Sequence, residues 1–145
     1  MKILLFLFAT LATINTNSEL PPNNDQTAAV IEAVQTFAAS ADQRNIEQMD
    51  VIMHSNFRAI VNRLFGSEEV SIMDKALYLD LLAQGKIGGD EREVTIVSIH
   101  FEGHNALVKA TLEGKKLRFT TFMQLVQASS GAWKVISDMP NIEEK

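Results

Sequence analysis

Between positions 26 and 41 the apolar residues Ala29, Val30, Ala33, Val34, Phe37, Ala38 and Ala41 recur at helical spacing. They form one stripe, which predicts an amphipathic helix with a buried face. Asp25 is its candidate N-cap, and the small alanines allow that face to approach a sheet closely. Asn45, with Gln48 three residues on, resembles a capping box in which Asn replaces Ser or Thr; it predicts a second, short helix over Ile46–Met53. From Phe57 to Leu64 the period drops to two, with Phe57, Ala59 and Val61 on one side and Arg58, Ile60 and Asn62 on the other, as in a strand. Ser71, with Asp74 in the favourable first turn, predicts a third helix running to about Gln84, where Gly85 supplies the stop. After a Gly88-Gly89-Asp90 loop come four strand-like runs, Glu93–Glu102, Ala106–Glu113, Lys116–Gln127 and Ala132–Met139. Gly103, Gly114 and Ser129-Ser130-Gly131 mark the turns between them.

The predicted order is therefore ααβαββββ. Helices segregated from a run of antiparallel strands define an α+β layer arrangement, here three N-terminal helices on a curved, mainly antiparallel sheet. Such a shape encloses a pocket. In the third run of the meander, Leu117, Phe119, Met123 and Leu125 share one face, while Phe122 and Val126 lie on the other. A sheet apolar on both faces must be covered on both, by helices inside and by a wrap or a second copy outside.

The start of the chain is a different kind of sequence. Met1-Lys2 is followed by the uncharged apolar run Ile3–Ala12 and then by small and polar residues. This is the layout of a secretory signal peptide, with cleavage expected after Ala12 or Ser18. The run is shorter than the ~20 apolar residues of a membrane span. The expected organisation is a leader over 1–18, a linker over 19–25 containing Pro21 and Pro22, one domain over 26–140 and a tail over 141–145. The destination is secreted or periplasmic, with no membrane contact after removal of the leader. A formal net charge of -5 in 145 residues argues against nucleic acid as a partner. The absence of cysteine excludes disulfides and thiolate chemistry.

The helix Ala28–Ala39, the segment Asn45–Phe57 with Met53-His54-Ser55-Asn56-Phe57, the start Ser71-Ile72-Met73-Asp74, and the closing Phe119–Val126 and Gly131–Asp138 pair together resemble the NTF2-like superfamily. This cone-shaped α+β fold is also called SnoaL-like or cystatin-like, and the nearer match within it is the branch named "putative lumazine-binding". The resemblance spans about 115 residues. It implies the fold but no single activity, because the superfamily holds enzymes and carriers alike. It also implies a homodimer joined through the outer sheet face. Enzymes of this fold place a carboxylate or a His–Asp pair inside the cone with a tyrosine or second acid as donor. The first strand, where the ketosteroid isomerase branch carries its base, contains no acid between Phe57 and Arg63.

His54, just before that strand, is a candidate base or a cap on the preceding helix. Asp138 is the candidate carboxylate, because the family's pockets draw on the last strand. Simple alternation, however, sets it opposite Trp133 and Val135, so a core-facing Trp133 turns Asp138 outward. Tyr78, the single tyrosine, is a candidate hydroxyl donor. Arg58, Asn62, Phe122 and Gln124 complete the expected ligand contacts. Arg58, Arg63 and Arg118 form either an anion-recognising face or a solvated set. His100 and His104 lie on a strand and a turn, where i, i+4 spacing does not converge on a metal, and no metal or cofactor is expected. The reading that follows is an exported homodimer whose cone binds a small, largely apolar ligand without established catalysis. The alternatives are a SnoaL-like isomerase, dehydratase or cyclase using a His54–Asp138 pair, and a protein-interaction module working through the outer sheet face.

Overall fold

The computed structural model describes residues 23–145; the expected leader and most of the linker lie outside them. Helix α1 spans Asn24–Gln43. Its cap is Asn23, whose side chain accepts from Asp25 N, so Asp25 sits inside the first turn and not at the cap. The apolar stripe is buried as the spacing requires, with Val30, Ala33, Val34, Phe37, Ala38 and Ala41 all at most 5% exposed. Helix α2, Ile46–Ile52, is capped by Asn45, which accepts from Gln48 N at 3.1 Å. The reciprocal arm of the capping box is missing: Asn45 N donates to Ser40 O, and the Gln48 amide instead lies 2.9 Å from Ser40 Oγ, tying α2 to α1.

The largest departure from the sequence pattern falls between residues 53 and 75. Strand β1 runs Met53–Asn62 and turns back through a short 3-10 segment, Leu64–Gly66, into a second strand, β2, Val70–Asp74. Ser71 is thus a strand residue paired with Val61, and Ile72 pairs with Ile60. The true cap of helix α3, Lys75–Ala83, is Asp74, which accepts from Leu77 N at 2.9 Å. The β-branched alternation of Val70 and Ile72 outweighs the capping potential of Ser71. Consequently α3 follows a hairpin, and the order is ααββαββββ.

Strands β3 (Glu93–Glu102), β4 (Asn105–Glu113), β5 (Leu117–Gln127) and β6 (Trp133–Glu144) form the expected meander. The six-stranded sheet is ordered β2-β1-β6-β5-β4-β3, antiparallel everywhere except at the parallel β1–β6 pair. Residues 141–144, expected as part of a tail, belong to β6 and pair with β5. β1 leaves β6 after the Ala59–Asp138 pair. Pro140 therefore has a sheet neighbour on one side only, where a residue without an N–H can be accommodated.

Two bulges bend the meander. One leaves Val97 unpaired on β3, between the pairs Ile96–Ala110 and Ser98–Lys109. The other leaves Ile136 unpaired on β6, between Leu125–Val135 and Gln124–Ser137. The inner face packs α1 and Phe57 against Ala106, Val108, Leu125, Trp133 and Val135, all at most 5% exposed.

Candidate functional site

A cavity of about 330 Å³ lies between α1, α3 and the inner face of the sheet, beyond the closely packed half. Its walls are mostly apolar. Phe37 comes from α1, Ala59 and Val61 from β1, and Leu112, Phe119 and Met123 from the meander. Phe37, Phe57 and Tyr78 form an aromatic group with ring centroids 5.4–6.0 Å apart, which holds α3 against α1 and β1. The size and lining match the usual range for small-molecule pockets, ~300–1,000 Å³.

The polar groups of the cavity come from four elements. The bulge at Ile136 decides the position of Asp138. One extra residue reverses the alternation, so Asp138 stands opposite Met123 on the same inner face as Val135 and Trp133. The expectation that a core-facing Trp133 turns Asp138 outward is thereby corrected: both point inward. The register of Leu117, Phe119, Met123 and Leu125 also contains Thr121, only 2% exposed, whose Oγ1 donates to Asp138 Oδ1 at 2.5 Å. Burial pushes the Asp138 carboxyl up to about 6, against the opposing pull of the Thr121 hydrogen bond and the Arg92 charge. Tyr78 reaches the same space from α3, and burial, followed by the negative charge of Asp138, raises its hydroxyl well above the ordinary value.

Arg92, just before β3, completes the polar end. Its Nε donates to Asp42 Oδ1 of α1 at 2.6 Å, its backbone N to Asp42 Oδ2 at 3.0 Å, and its Nη2 to Ala38 O at 3.2 Å. The guanidinium also lies over the Phe119 ring at 4.9 Å. The two side chains of this ion pair are only 11% and 9% exposed, so the Arg92 charge is matched before any ligand arrives.

The mouth is formed by the turn after β1 and by the loop after α3. Leu64 and the exposed Phe65 line the first side, and Lys86, Ile87 and Asp90 the second. Phe65 sits in the left-handed region, φ 48°. Arg44 clamps the second loop through hydrogen bonds to Gly85 O, Ile87 O and Gly88 O. Gly88, at φ +71°, lies so close to α1 that a Cβ would stand 2.3 Å from Ala41 O. Asp90 accepts from Lys115 N and Lys116 N, and its carboxyl is lowered chiefly by the Lys116 backbone hydrogen bond.

Of the residues singled out in the sequence, Asp138 and Tyr78 meet in the cavity and the others do not. Met53, next to His54, pairs with Val135, three residues from Asp138, so His54 and Asp138 are separated by roughly 10 Å of strand. His54 Nδ1 accepts from Asn56 N within the irregular start of β1. The expected His54–Asp138 pair is therefore not formed. Arg58, Asn62, Phe122 and Gln124 are exposed on the outer face of the sheet, because the inward residues of their strands are Ala59 and Val61, Met123 and Leu125. Arg58 donates to Phe57 O, and Arg118 pairs with Glu113 at 2.6 Å, so no joint anion site is assembled from them. Thr121, Arg92 and Asp42 escaped the sequence reading. Thr121 was detectable as a polar residue within an apolar inward register, whereas 50 residues separate Asp42 from Arg92 with no local pattern to join them.

A helix-backed, bent sheet around such a cavity defines the NTF2-like fold. The structure of an NTF-2 like protein of unknown function from Silicibacter pomeroyi is similar with a TM-score of 0.71 at 14% identity, over 82% of this chain and 97% of that one. An NTF2-like protein of unknown function from Shewanella baltica gives 0.71 at 15% identity, over 83% and 96%. A ketosteroid isomerase-like protein from Erwinia carotovora atroseptica gives 0.68 at 11%, over 83% and 98%. At these identities the likeness is one of fold. No curated protein matches the chain. The model of the family described as "Putative lumazine-binding" matches residues 25–139, and the chain belongs to that family.

Proposed function

We propose that this domain binds one small, largely apolar molecule inside its cone and holds it by a polar head at the Asp138–Thr121 end. The observation that carries this reading is the cavity of about 330 Å³, apolar along its walls and polar where β5 and β6 meet. The family's descriptive name points the same way, toward a small-molecule ligand. In this reading the protein works outside the cytoplasm after loss of residues 1–18, and as a homodimer. The outer sheet face supports the second point: Phe122 and Met139, cross-strand partners, are 43% and 46% exposed beside Leu107 at 40%. Native mass spectrometry of protein purified from its own host tests the set together. The expected spectrum shows a dimer lacking the leader with one retained small molecule per chain. A ligand-free monomer that no small molecule stabilises would overturn it.

A second reading has one observation in its favour. A carboxyl raised to about 6 beside a tyrosine hydroxyl in a largely apolar cavity can exchange a proton near neutral pH. It makes the domain an acid–base catalyst using Asp138 and Tyr78, without His54. Turnover of a bound compound that disappears in Asp138→Ala and survives in His54→Ala would favour it over the carrier.

A further inference from the structure

We infer that the cavity selects a ligand whose apolar body ends in a protonated amine, with the ammonium seated on the free oxygen of Asp138. The inference rests on the cavity-binding reading above and names the chemistry of the head group.

Asp138 Oδ1 accepts from Thr121, whereas Oδ2 has no hydrogen-bond partner among the described residues. No ion pair joins Asp138 to a cation among them either. Arg92 is paired with Asp42 and covered by Phe119, so that its charge pulls on Asp138 without an ion pair between them. The groups facing Asp138 from the elements around it are Thr121 on β5, Ala59 on β1, Tyr78 on α3 and Arg92 with Asp42 behind it. Lys86 and Asp90 are farther off, at the mouth. With its carboxyl at about 6, Asp138 is mainly ionised at pH 7 and above. Asp138 is half-buried and its free oxygen opens on the cavity. A partly desolvated carboxylate without a full partner is costly, and a ligand cation lowers that cost. A neutral carbonyl would set lone pairs against Oδ2, and a carboxylate would add like charge. Phe37 and Tyr78 line the same cavity, as an apolar body on the ligand requires.

Three probes that share a phenethyl body separate the possibilities: phenethylamine, 2-phenylethanol and 3-phenylpropanoate, titrated calorimetrically into the full mature chain. The amine is expected to bind at least about tenfold more tightly than the alcohol at pH 7.5, and the propanoate more weakly than either. That preference should fall about tenfold by pH 5, where about one Asp138 in ten remains ionised. Asp138→Asn, which preserves shape and can still accept from Thr121, should abolish the preference. If the alcohol or propanoate binds as well as the amine, the head-group assignment is overturned while the cavity reading stands. A preference kept in Asp138→Asn also overturns it. If none of the three binds, the head-group assignment fails, and the cavity reading is decided by the native mass spectrum.

Discussion

Strand β6 has two halves with opposite fates on the same face of the sheet. Before Ile136, Trp133 and Val135 are buried in a closely packed core against Phe101, Leu125 and α1. After it, Asp138, Pro140 and Ile142 line an open cavity. The difference is not one of composition alone. A single unpaired residue keeps Asp138 facing inward, where regular alternation would have shown it to solvent. Function on this scaffold therefore depends on where the register is interrupted as much as on which residues are present.

The comparison can be broken most forcefully at the packed half. Leu125→Ala, at a position only 1% exposed, is expected to cost about 2–5 kcal/mol in urea unfolding. Ile142→Ala, on the cavity wall and partly exposed, should cost about 1 kcal/mol or less. Equal losses would mean that the cavity half is as tightly filled as the core. Next in size is the pair that screens the polar end. Asp42→Ala leaves Arg92 buried and unmatched and should cost about 3 kcal/mol or more. Gly88→Ala forces a Cβ against the Ala41 carbonyl at positive φ and should lower stability by about 1–3 kcal/mol.

The last effect is the most diagnostic, because its sign is unusual. The Asp138 carboxyl is raised in the folded state to about 6 from an ordinary 3.8. Its contribution is fully favourable below the unfolded value and is lost as pH rises through 6. Asp138→Asn should therefore stabilise the ligand-free protein on the order of 3 kcal/mol at pH 7.5, and the gain should largely vanish near pH 4. A variant less stable than wild type at both values would show that Asp138 acts as a structural carboxylate and is not held at the expense of the fold.

Much of this architecture was legible in the chain, for identifiable reasons. The alanine-rich stripe of α1 and the period-two runs of the meander are long and strongly patterned, and both folded as the pattern requires. The hairpin strand β2 was not legible, because Ser71 and Asp74 both cap helices well and only pairing with β1 decides between them. Site residues fared worse for a related reason. Asp138 and Tyr78 stood out by chemistry, but the face that Asp138 occupies depends on a bulge with no glycine or proline to announce it. The Asp42–Arg92 pair joins α1 to the residue before β3 and belongs wholly to tertiary structure.

The chain has one tryptophan, and it lies in the packed half and away from the cavity walls. Trp133 is 5% exposed, its Nε1 has no hydrogen-bond partner among the described residues, and Phe101 meets it edge-on at 5.9 Å. Its fluorescence should therefore be blue-shifted in the native protein and report on integrity of the core, largely indifferent to occupancy of the cone. An optical titration monitored at that indole would register unfolding and miss the ligand.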